Sequence, residues 1–106
     1  MQSVPYVDFA RYSLPSCSDS TLVELKDTLT KARNMLWELV DMGYSSVEFE
    51  LVEVSLRLQT VQSEGIIRDM KLSSMRIREL QRILQTVDTL DIRSAVELEL
   101  MRRGIV

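Results

Sequence analysis

The stretch Val47-Glu48-Phe49-Glu50-Leu51-Val52-Glu53-Val54-Ser55-Leu56-Arg57-Leu58 decides the fold, because it fits two periods at once. Val47, Leu51, Val54, Leu58 and, just beyond, Val61 follow helical 4-3 spacing. The runs 47–51 and 54–58 also alternate apolar and polar residues, which is the period of a strand. Keeping one strand face inside across Val52 needs a bulge, whereas a helix needs no such correction. Just upstream, Ser45 with Glu48 three residues later has capping-box spacing, and Ser46 is an alternative cap. Helix is therefore the expected state. Phe49, Val52 and Leu56 then lie off the main stripe, so this helix has more than one side to bury.

The segment before it is the clearest helix. Leu22, Leu25, Leu29, Ala32, Leu36 and Leu39 follow strict 3-4 spacing and fall within about 100° of arc. Thr21 with Glu24 has capping-box spacing, and Gly43 suits the left-handed turn that closes a helix, so the helix is expected over 21–42. At that length it spans ~30 Å. Such a seam serves an intrachain antiparallel hairpin or an intersubunit coil equally well; Trp37 and Val23 lie off it. The tripeptide Met42-Gly43-Tyr44 resembles the first loop of ubiquitin-associated domains. The short Ala-rich helices of those domains do not follow, and the resemblance implies nothing beyond the turn itself.

Downstream, Glu64-Gly65 reads as a break or weak point. Ile66, Met70, Ile77, Leu80, Leu84 and Val87 form one stripe of a helix over 66–87, with Arg68, Lys71, Arg78 and Arg82 on the opposite side, interrupted by Leu72 and Met75. Ser73-Ser74 is an alternative helix start. The last segment, 88–106, has capping types at Asp88, Thr89 and Asp91, capping-box spacing at Ser94 and Glu97, and Arg102-Arg103-Gly104 as a helix end. Ala95-Val96-Glu97-Leu98-Glu99-Leu100-Met101 echoes Ser46-Val47-Glu48-Phe49-Glu50-Leu51-Val52, by duplication or by coincidence. The echo also frames the alternative fold, α+β with a small antiparallel ribbon from 47–58 and 96–100.

Residues 1–19 form an arm, broken by Pro5 and Pro15 and rich in serine. It nevertheless carries Tyr6, Phe9 and Tyr12, three of the six aromatic residues of the chain. These rings either pack on the protein's own helices or dock on a second subunit or partner. Disorder is the third reading, which the aromatic content disfavours.

The whole chain of 106 residues suits a single domain. Its 45% hydrophobic and 27% charged residues describe a globular or coiled chain, not a disordered one. A net charge of −3 argues for neither a nucleic-acid coat nor a membrane-surface protein. The single Cys17 excludes an intrachain disulfide and fits the cytoplasm or another reducing compartment. No signal-peptide pattern and no membrane span is expected.

Catalytic chemistry has no foothold here. The chain has no His, which removes the usual general base, the commonest metal ligand and the His-dependent triads. One Cys cannot build a thiolate zinc site, and the three glycines stand apart, so no phosphate loop exists. Glu48, Glu50, Glu53, Glu97 and Glu99 read as solvated faces. No enzyme activity, cofactor, metal or small-molecule substrate is expected.

Charge is unevenly placed. Residues 38–64 hold six carboxylates against Arg57 alone, a net of −5, and residues 66–86 hold five cations against two carboxylates, a net of +3. The expected fold is all-α, with three to four amphipathic helices forming a hairpin or bundle with coiled-coil-like seams, the arm 1–19 and a single helical domain 20–106. Apolar residues exceed what the seams use. Tyr6, Phe9, Tyr12, Trp37, Phe49, Leu72 and Met75 are the candidate partner-binding residues. The expected function is a protein–protein interaction module (an adaptor, small regulator or assembly subunit) that self-associates as a homodimer or joins a larger assembly. The alternative is a nucleic-acid-binding regulator that uses Arg68, Lys71, Arg78 and Arg82.

Overall fold

The structure, a computed structural model, describes residues 6–105, with the side chain of Val7 excepted. Pro5 and the four residues before it lie outside that range. Among the described residues the fold is all-α with no strand, as expected, and the ribbon alternative is overturned. It has five helices: α1 (residues 6–16), α2 (Asp19–Asp41), α3 (Glu48–Met70), α4 (Ile77–Thr86) and α5 (Leu90–Arg102). The arm supplies the helix that was not anticipated.

α1 is an α turn, Tyr6–Asp8, a π turn, Phe9–Ser13, and a second α turn, Leu14–Ser16. Pro15 was expected to break it, and does not. In the π register the N–H of Leu14 donates to the carbonyl of Phe9, five residues back. The next donor in that register is residue 15, a proline without an N–H. Its acceptor, the Ala10 carbonyl, is taken instead by Arg102 Nε of α5 at 2.8 Å. The exposed end of α1 is closed in the same way, by Arg68 Nη2 donating to the carbonyls of Leu14 at 3.1 Å and Cys17 at 2.7 Å.

α2 starts two residues before the expected position, because Ser18 Oγ, not Thr21, accepts from the N–H of Thr21 at 3.2 Å. It ends as Gly43 allows. Gly43 takes φ +98°, its N–H donates to Val40 and the N–H of Tyr44 donates to Leu39, both at 3.0 Å. A single 3-10 turn, Ser45–Val47, then starts α3, and no side chain caps it, so the Ser45/Glu48 signal is unused. The helical state of 47–58 rests on the burial of Leu51, Leu58 and Val61. α2 and α3 form an antiparallel hairpin, so the seam of α2 is used within the chain.

Two further expectations are corrected. Gly65 marks no break: α3 runs through it to Met70, since an isolated glycine costs a helix only about 1 kcal/mol. The break falls at Lys71, which sits in the left-handed region at φ 55° and is followed by the 3-10 turn Leu72–Ser74. Residues 66–87 are thus two helices pointing in different directions. Ser94 and Glu97 lie inside α5, which starts after Thr89, so they cap nothing.

The core gathers at one end. Phe9 and Leu14 of α1 pack with Leu22 of α2 and Val61 of α3. Ala10, Ile67, Leu72, Leu80, Ala95, Val96, Leu98 and Leu100 form the second cluster. α1, α2 and α5 therefore surround the C-terminal half of α3, and α4 covers the far side of α5. Among the described residues, α2 is the main element packed on the N-terminal half, with Phe9 of α1 against Arg57 at its end. The molecule measures 47 × 29 × 23 Å, with the bare hairpin as its long extension.

Candidate interaction surface

Every large apolar residue around the end of the hairpin that points away from the α2–α3 seam is exposed: Met35, Trp37, Met42, Tyr44, Phe49, Val52 and Leu56. Phe49, Val52 and Leu56 are 78%, 59% and 47% exposed. At 100° per residue these three lie within about 60° of one another and roughly opposite Leu51 and Leu58, which face α2. Their spacing is itself 3-4, so α3 carries a second seam on its open side. Residues 37–56 contain five carboxylates and no Lys or Arg, and all five carboxylates are exposed.

One helical turn further along α3 the same face is covered. Gln59 Nε2 donates to Ser94 Oγ at 3.1 Å, and Arg102 pairs with Glu64, so α5 runs parallel to α3. Gln59, Thr60 and Ser63 line a shallow groove of about 220 Å³ with Tyr6, Ser94 and Met101. Tyr6 closes one side of it through a 2.8 Å hydrogen bond between its hydroxyl and Thr60 Oγ1.

At the other end sits a charged knot that ties the arm down. Glu64, 3% exposed, accepts from Arg68 Nε at 3.0 Å and from Arg102 Nη1. Arg68 also donates to Asp19 at 2.6 Å. Asp19, then Glu64 and Cys17, outweigh the desolvation that opposes charge and raise the Arg68 pKa above arginine's ordinary value, so it stays cationic. Arg103, bound to Glu99 at 2.7 Å, donates to the carbonyls of Leu72 and Ser73 and secures the turn between α3 and α4.

The candidate partner-binding residues are thus dispersed. Trp37 and Phe49 are exposed at the hairpin end. Tyr6 and Tyr12 are exposed on the arm, with Tyr6 at Thr60, one helical turn beyond Leu56. Phe9 is buried, with Arg57 5.0 Å above its ring. Leu72 is fully buried and Met75 packs half-buried beside it, because the 3-10 turn folds both onto α5. As surface candidates, Phe9 and Leu72 are corrected, since both are spent on the core. The basic face is corrected too. Arg68 is on α3, tied to Glu64 and Asp19, while Arg78 and Arg82 are exposed on α4 beyond the bend at Lys71.

No family model matches the chain, and no curated protein or solved structure does either.

Sequence reasoning missed Glu64, Arg102 and Arg103 as structural groups. The i, i+4 spacings Glu64–Arg68 and Glu99–Arg103 were available signals. Nothing local marks Arg102 as the partner of Glu64. Among the described residues no three His, Cys, Asp or Glu side chains are grouped as a metal site, and no helix is long and apolar enough to cross a membrane.

Proposed function

We propose that this protein is a non-catalytic interaction module, an adaptor or assembly subunit, whose uncovered two-helix end joins a bundle completed by a partner. The observation that carries this reading is the division of α3. Its C-terminal half is enclosed by three helices, and its N-terminal half presents Phe49, Val52 and Leu56 to solvent, at the end of the hairpin where Trp37 of α2 is also exposed. Apolar side chains at regular helical spacing lose solubility and gain nothing unless another surface covers them.

The test is photo-crosslinking in extract of the native source. A photoreactive residue at Trp37 or Phe49 is expected to trap defined protein adducts, and one at the exposed Ser74, in the turn beyond the C-terminal end of α3, is expected to trap none of them. Adducts of equal yield at all three positions, or at Ser74 alone, sink the proposal.

A further inference from the structure

We infer that the occupant of the open face of α3 is an amphipathic helix of a different protein, with Lys or Arg flanking its apolar stripe. This names the partner class for the interaction site proposed above and rests on that reading. Three observations carry it.

The first is continuity. The face of α3 that bears Phe49, Val52 and Leu56 bears Thr60, Ser63 and Ile67 further along, all buried, and the element lying there is the helix α5. The first turn of α5 lies level with Ser55 and Leu56, because Ser94 pairs with Gln59 and the two helices run parallel. The open stripe therefore begins where α5 starts, and the layer missing from it is one helix in thickness.

The second is the matched alternation of the two echoing segments. Alternate residues on a helix point about 160–200° apart. Val96, Leu98 and Leu100 are all buried because α5 is held between α3 on one side and α4 with its preceding turn on the other. Val47, Phe49 and Leu51 have the same pattern. Leu51 is buried against α2, and Phe49 on the other side meets nothing. Among the described residues, one of the two layers that this pattern serves is not supplied.

The third is charge. Glu48 and Glu53 border the stripe, the latter 3.6 Å from Arg57 at its covered end, and no cation lies within residues 37–56. A second copy laid stripe to stripe sets carboxylates against carboxylates, which rejects self-pairing. The chain's own basic helix, α4, is a poor substitute. Among its described residues Ile77 is the one large exposed hydrophobic beside Arg78 and Arg82, too little to cover three. A basic-flanked amphipathic helix supplies both the apolar stripe and the opposite charge.

The probe is a pair of synthetic helices with identical Leu stripes in 3-4 spacing, one flanked by Lys and its twin by Glu, titrated against the full chain. The Lys helix is expected to bind. The Glu twin, and the Lys helix against Val52→Asp/Leu56→Asp, are expected to bind at least about tenfold more weakly. Both positions are exposed, so the variant keeps its fold, and its circular dichroism verifies that. Equal binding of the twins, unchanged binding to the variant, or self-association of the parent chain that the variant abolishes each overturns the inference. Crosslinks at Trp37 and Phe49 from native extract survive these outcomes, so failure here is distinct from failure of the proposed function.

Discussion

Arg102 donates through Nη1 to Oε2 of Glu64, a residue 38 positions away whose side chain is 4% exposed. The pair joins α5 to α3, and Arg102 then reaches on to the Ala10 carbonyl of α1. Removing one member of a buried pair leaves the other charge uncompensated. Glu64→Leu, which leaves Arg102 with no carboxylate and Arg68 with Asp19 alone, is expected to lower stability by about 3–5 kcal/mol in urea unfolding followed by circular dichroism. A loss below about 1 kcal/mol, the value of an exposed pair, contradicts the burial described here.

The arm is part of the folded core, and its residues differ sharply in consequence. Leu14 is fully buried between α2 and α3 and Tyr12 is exposed. Leu14→Ala is expected to cost about 2–5 kcal/mol, from lost burial plus the cavity left behind. Tyr12→Ala is expected to stay within about 0.5 kcal/mol of the parent. Comparable effects at the two positions in the same unfolding assay count against an integral arm.

Gly65 and Gly43 predict opposite signs. A Cβ at Gly65 meets nothing within 4 Å, and the residue lies inside α3. Gly65→Ala is expected to raise stability by about 0.5–1 kcal/mol by restricting the unfolded chain. A Cβ at Gly43 has equal space, but φ there is +98°. Gly43→Ala is expected to lower stability by roughly 1–2 kcal/mol through backbone strain alone. Thermal unfolding of the two variants checks the pair, and a shared sign refutes the assignment of the hairpin turn.

Stability is distributed unevenly along α3. Amides of residues 48–56 sit in a two-layer region with solvent on the open side, and those of 58–67 are enclosed. Hydrogen exchange is expected to be faster over the first range than the second under native conditions. Uniform protection along the helix argues against a bare end. Trp37, the single tryptophan, is exposed at that end, so its emission is expected to shift to the blue on docking of a partner helix.

Much of the fold was legible in the sequence. The 3-4 run from Leu22 to Leu39 marks α2, and Gly43 marks its end through a conformation that few other residues adopt at low cost. The helical state of 47–58 was legible for a reason other than the capping signal that favoured it. Ser45 and Glu48 cap nothing, and the 4-3 spacing of Leu51, Leu58 and Val61 reflects real burial. The stop at Lys71 was illegible, because a lysine in the left-handed region is held there by the packing of Leu72, a tertiary effect. The exposed Phe49, Val52 and Leu56 could be recognised as excess apolar surface from spacing alone. That Phe9 and Leu72 are not part of that excess depends on which helices meet, and one-dimensional periodicity does not carry it.

The Pro15 position has a consequence for the order in which the molecule comes together on the ribosome. The Ala10 carbonyl lacks a backbone donor from Pro15, and the donor it receives belongs to Arg102, in the last helix of the fold. The arm is the first of the described elements to be synthesised, and its helix is completed only after α5 has emerged. At roughly 5–20 residues per second the nascent arm spends several seconds without that donor, even once Leu22 and Val61 are available to cover Phe9 and Leu14. Of the described helices, the first one made is thus among the last to receive its full set of hydrogen-bond partners.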